Sequence, residues 1–194
     1  MFAKKVPRYI HGIIYIAQVV NINEGDKISC NFLNKITKLE NDEKSLNILR
    51  EIGMPPYKNR YTIKNLNKLI FKYNGNILKL SEITFILKSI LFKYYNLFDW
   101  IKFIKGIIIS NRYMYSEMSC INLFNEIDSI DVPIYFCVGD NDYSTPVKLI
   151  KEYYNFIRAP KKELYRFKSS LHIPNIEEET TFYNLCKTVC ADND

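Results

Sequence analysis

The stretch that most constrains the fold lies between Pro133 and Phe167. Ile134-Tyr-Phe-Cys-Val138 is a short apolar run ended by Gly139, the signature of a buried strand. Thr145-Pro146 reads as an N-cap with proline at the first helical position, opening a helix through Val147, Ile150, Tyr153, Tyr154 and Ile157 that Pro160 stops. Glu163-Leu-Tyr-Arg-Phe167 is the next strand. A strand, a crossover helix and a second strand of these lengths form a right-handed βαβ unit with parallel neighbours, so the chain is of the α/β class.

The rest of the chain is organised around that unit. Residues 13 to 20 form a continuous β-branched and aromatic run, read as a third buried strand. From Asp26 to about Ile127 the pattern turns helical. Asp42 caps a helix carrying Leu46, Leu49 and Ile52 that Gly53 ends; Ser81 caps a longer one through Ile83 and Tyr94; Ser116 caps a short one ending near Phe124. The spacing therefore predicts three segments: 1–20 with a core strand, 21–131 as a helical insertion, and 132–194 as the remainder of the core.

Composition excludes several classes. At 194 residues, with 47% hydrophobic and 25% charged, the chain is long enough to bury about 70% of its unfolded surface without metals or staples. The six glycines, at 12, 25, 53, 75, 106 and 139, lie too far apart for G-x-S-x-G, G-x-G-x-x-G or a Walker loop. A self-contained serine-elbow hydrolase, a dinucleotide-binding domain and a P-loop NTPase are thereby excluded. Lysines interrupt the greasiest stretch, residues 83 to 109, so no membrane span is expected. The N-terminal stretch lacks a small-x-small cleavage site and reads as a strand rather than a leader.

Five cysteines with no C-x-x-C pair suggest a reducing, cytoplasmic setting, and Cys186 and Cys190 lack nearby imidazoles to complete a metal site. No cofactor or metal is expected. Between Tyr57 and Lys105 ten Lys and Arg face only Glu82 and Asp99. Lys64, Lys68 and Lys72 recur every four residues opposite Ile63, Leu66, Ile70 and Tyr73, which makes them the solvated face of a helix rather than a nucleic-acid surface.

In an open parallel sheet, sites collect beyond the carboxyl ends of the strands. Asp142 and His172 both lie in such loops, and adjacent parallel strands bring their loops within hydrogen-bond reach. A carboxylate that orients an imidazole is two-thirds of a general-base machinery. Spacing alone leaves Asp140 as a competing carboxylate.

Val132-Pro-Ile-Tyr-Phe-Cys-Val-Gly-Asp-Asn-Asp-Tyr-Ser-Thr-Pro146 resembles the acid-bearing segment of α/β-hydrolases, and Ala159 to Pro174 followed by Glu177-Glu178 resembles their histidine loop. The likeness is strongest to lid-bearing, prolyl aminopeptidase-like members. It implies Asp142 as triad acid through G-x-x-D, His172 as triad base, and residues 21–131 as a lid. Phe2 to Arg8 resembles the end of the helix that follows the nucleophile elbow, so the resemblance covers only the later part of the fold, and the serine and oxyanion loop are missing.

The resemblance thus implies a serine hydrolase of ester or amide bonds, aminopeptidase-like, represented by its lid and Asp/His half and inactive alone. The alternative is a non-enzymatic remnant or interaction protein. A truncated reading frame is expected, with a small-molecule or peptide substrate once a polypeptide supplies the N-terminal half. The strand at 13–20 is expected to leave a long apolar edge unpaired. Cys137, Ser144, Ser169 and Ser170 lack the strained elbow that would make any of them a substitute nucleophile.

Overall fold

The computed structural model describes residues 2–57, 59–73 and 96–191. Three strands, β1 (Ile13–Ile16), β2 (Ile134–Gly139) and β3 (Lys162–Phe167), form one parallel sheet in the order β1-β2-β3. Helix α1 (Phe2–Lys5) precedes β1. Between β1 and β2 lie α2 (Ile22–Leu39), α3 (Glu43–Ile52), α4 (Arg60–Lys72), α5 (Leu97–Met118) and α6 (Leu123–Glu126). The crossover from β2 to β3 is α7 (Val147–Phe156); α8 (Pro174–Glu177) and α9 (Glu179–Ala191) follow β3.

The central strand β2 is buried on both faces, and its period of two divides the core. Ile134, Phe136 and Val138 pack with Leu149, Ile150, Tyr153 and Ile157 of the α7 region. Tyr135 and Cys137 face the other way, onto Leu185 and Val189 of α9. Each buried aliphatic side chain on these faces contributes about 2 kcal/mol relative to exposure. The helical block has its own cluster, in which Leu33 of α2, Leu49 of α3 and Leu66, Leu69 and Ile70 of α4 meet.

The two ends of that block also meet. Leu123 N donates to Val20 O (2.8 Å) and Ile22 N donates to Ile121 O (3.1 Å), so the chain leaves and re-enters the sheet region at neighbouring points. Side-chain caps start its helices: Asn21 accepts from Glu24 N, Asp42 from Ser45 N, Asn59 from Thr62 N, and Asn96 forms a reciprocal capping box with Asp99. Each such cap stabilises by about 1 kcal/mol.

Four local expectations change. The first strand stops at Ile16, because Ala17 turns to φ 47° and Val20 is carried into the core instead of along the edge. The outer edge of β1 is unpaired among the described residues, but it is four residues long and three of them are half-buried. Ser116 lies inside the last turns of α5, and the short helix α6 is capped by Asn122. Thr145 is not a cap; Pro146 holds that position and the threonine hydroxyl is used elsewhere. The Ser81 helix lies outside the described residues.

Candidate functional site

Asp142 follows the end of β2 by three residues and His172 the end of β3 by five, so both leave the same edge of the sheet. The loops meet: His172 Nδ1 lies 2.9 Å from Asp142 Oδ2. The aspartate side chain is 2% exposed and the imidazole 31% exposed, which shields the carboxylate and leaves the ring reachable. An ionised carboxylate can only accept, so Nδ1 carries the proton and Nε2 keeps a free lone pair.

Local sequence explains why the carboxylate is still. Its Oδ1 accepts from Ser144 N (2.7 Å) and Thr145 N (3.0 Å), and its Oδ2 also accepts from the Thr145 hydroxyl. The histidine loop is held as firmly from the other side. Glu177 Oε2 accepts from Leu171 N (2.8 Å) and Ile173 N (3.3 Å), while Glu178 Oε1 accepts from Ser169 N (3.0 Å) and Ser170 Oγ (2.9 Å). Two consecutive glutamates thus fix the backbone on both sides of His172.

Burial pulls the His172 pKa down, but the hydrogen bond to Asp142 and the charges of Asp142 and Glu177 outweigh it, so the net shift is upward. Asp140 is occupied otherwise: Arg166 Nε and Nη2 donate to its two oxygens at 2.7 and 2.9 Å. Of the two carboxylates that spacing could not separate, Asp142 meets the histidine and Asp140 the arginine.

Two of the other nucleophile candidates are buried away from the imidazole or already engaged. Cys137 is fully buried in β2, and burial pushes its thiol up to about 12. Ser170 is fully buried with its hydroxyl on Glu178. Among the described residues no group of three or more His, Cys, Asp and Glu is placed to hold a metal, and Cys186 and Cys190 are free thiols. No helix among them is long and apolar enough to cross a membrane.

No protein-family model matches the chain. It is 25% identical over 176 residues to the probable aminopeptidase YbaC of Bacillus subtilis (strain 168), a match covering 87% of this chain and 54% of that protein. The chain therefore spans about half the length of the curated relative it matches. A solved alpha/beta fold family hydrolase from Bacillus anthracis str. Sterne superposes with a TM-score of 0.55 at 15% identity, over 97% of this chain and 61% of that one. The chain has the later part of an α/β-hydrolase fold. A proline iminopeptidase from Mycobacterium smegmatis shares it at a TM-score of 0.55 and 11% identity, over 98% of this chain and 60% of that one.

Within this α/β-hydrolase fold the helical block grips the acid loop directly. Ser29 of α2 donates its hydroxyl to Tyr143 O, and Phe32 stacks on the Tyr143 ring with centroids 3.6 Å apart at 10°. Tyr143 sits between Asp142 and Ser144, so α2 steadies the peptide that carries the acid. Phe32→Ala is expected to cost about 3 kcal/mol and to lower the His172 pKa, while Phe32→Tyr keeps both near wild type; chemical denaturation and histidine NMR titration read the two effects.

A small cavity of about 30 Å³ lies beside this loop, lined by Asp26 of α2 together with Ser144 and Thr145. Burial pushes the Asp26 carboxyl up to about 6. A folded-state pKa above the unfolded value means that stability is lost as pH rises from about 4 through about 6. Asp26→Asn is expected to stabilise the chain by about 1–2 kcal/mol at neutral pH, allowing for solvent screening. The gain should vanish in melts below about pH 4, where folded and unfolded states are both protonated.

Proposed function

We propose that this chain supplies the acid and base of a serine-hydrolase site that cleaves ester or amide bonds, with an aminopeptidase-like preference. Asp142 is the orienting acid and His172 the general base. The observation that carries the reading is the 2.9 Å contact between Nδ1 and a buried carboxylate, with the imidazole half-open to solvent. In the reaction, Nε2 takes the proton of a serine hydroxyl as that oxygen attacks the substrate carbonyl carbon, then delivers it to the leaving amine or alcohol. The serine and the oxyanion donors come from residues outside these 194, because no G-x-S-x-G occurs among them. Residues 21–131 act as the lid over the substrate, and the setting is cytoplasmic.

That missing motif also favours a second reading, a binding protein that keeps this part of the fold without chemistry. Co-expression with the portion of the Bacillus subtilis relative that this chain does not span separates the two. Hydrolysis of p-nitrophenyl acetate and aminoacyl p-nitroanilides is expected only in the combined sample. His172→Ala should reduce the rate by about 10⁴-fold or more. Turnover indifferent to His172→Ala overturns the assignment, and a stable assembly without turnover supports the binding protein.

A further inference from the structure

Away from the dyad, α4 and α5 enclose a groove of about 600 Å³. Arg60, Lys64 and Lys68 recur every four residues along α4 and line it together. Among the described residues none of the three makes an ion pair. Facing them on α5 are Ile107 and Ile108, which remain 45% and 58% exposed, and Phe71 lines the same groove from the end of α4.

Lysines on an exposed helix face need no explanation by themselves. Here they rim a concavity whose other wall is apolar and wet, and contiguous bare apolar surface is uncommon unless something covers it. The occupant must satisfy both walls, with negative charge for three cations that make no ion pair among the described residues and an apolar body for the isoleucines. A second copy of this chain is a poor fit, since it brings the same cations and a net charge of +6.

We propose that the groove binds a single anionic amphiphile, an alkyl carboxylate or alkyl phosphate. The head group lies on Arg60, Lys64 and Lys68, and the chain lies along Ile107, Ile108 and Phe71. A guanidinium and two ammonium groups suit either head group, the first as a fork and the others as point charges.

Trp100, the sole tryptophan, lies on α5 about two turns before Ile107 and serves as the reporter. Dodecanoate and dodecyl phosphate, titrated below their micelle concentrations, are expected to change its fluorescence saturably with one site by calorimetry. Dodecyltrimethylammonium, with the same chain and opposite charge, should not. Lys64→Glu combined with Lys68→Glu should weaken dodecanoate binding by about tenfold or more. Ile108→Asp should do likewise, and circular dichroism establishes that each variant is folded; the lysine pair, fully on the surface, keeps the test intact if Ile108→Asp is not. Absent saturable binding, equal affinity for the cationic detergent, or wild-type affinity in the lysine pair variant each overturns the proposal. Capture by vesicles of phosphatidylglycerol without binding of monomeric dodecanoate overturns it too, in favour of a membrane surface.

Discussion

Replacing Gly139 by alanine is expected to lift the histidine loop off the sheet. A Cβ at this last residue of β2 would stand 1.9 Å from Leu171 O and 2.6 Å from both Leu171 C and Ser170 O. All three are backbone atoms, so no side chain can swing aside to make room. The backbone conformation itself is not the obstacle, because the contact is purely one of space. Displacing this loop should cost about 3 kcal/mol or more. It should also separate His172 from Asp142 and so lower the histidine pKa. Urea denaturation reads the first effect; an unchanged midpoint would mean that the loop does not sit this close.

Asp142→Ala carries the second large effect. It leaves Ser144 N, Thr145 N, the Thr145 hydroxyl and His172 Nδ1 without their shared acceptor. Stranding buried donors costs about 1–3 kcal/mol each, partly recovered by relaxation and water, so about 4 kcal/mol in total is expected. Asp142→Asn is milder in stability and worse in chemistry. The amide can present its NH₂ to Nδ1, which reverses the hydrogen bond, moves the ring proton to Nε2 and removes the lone pair a general base needs. The pH dependence follows from the raised His172 pKa. Its contribution to stability is complete below about 6.5, the unfolded value, and is lost as pH climbs through the folded value. Melts of Asp142→Asn should lack that decline.

The parts of the molecule legible in the sequence are those whose signal is local. Ile134 to Val138 is apolar because β2 is covered on both faces, and Leu149, Ile150 and Tyr153 repeat at helical spacing because one face of α7 lies on the sheet. Asp142 and His172 could be placed beyond neighbouring strand ends by counting residues, and the G-x-x-D resemblance singled out the carboxylate that meets the histidine. What could not be read depends on partners far along the chain. Arg166, 26 residues away, is what removes Asp140 from contention. Gly139 reads as a strand stop, whereas its structural reason is the Leu171 carbonyl of another loop. Thr145 before Pro146 has the pattern of a cap, but its hydroxyl is drawn to a carboxylate that only the folded loop presents. Ala17 in a left-handed turn within a β-branched run carries no local signal at all.

Asp142, and not Asp140, holds and orients the imidazole of His172. With His11 as the only other histidine, an NMR pH titration of the ring resonances resolves the question in wild type, Asp142→Asn and Asp140→Asn. Wild-type His172 is expected to titrate above about 6.5, with ring nitrogen shifts of the Nδ1–H tautomer. Asp142→Asn should lower the pKa and move the proton to Nε2, and Asp140→Asn should leave both essentially unchanged. A His172 pKa insensitive to Asp142→Asn, or one that falls only in Asp140→Asn, would contradict that assignment.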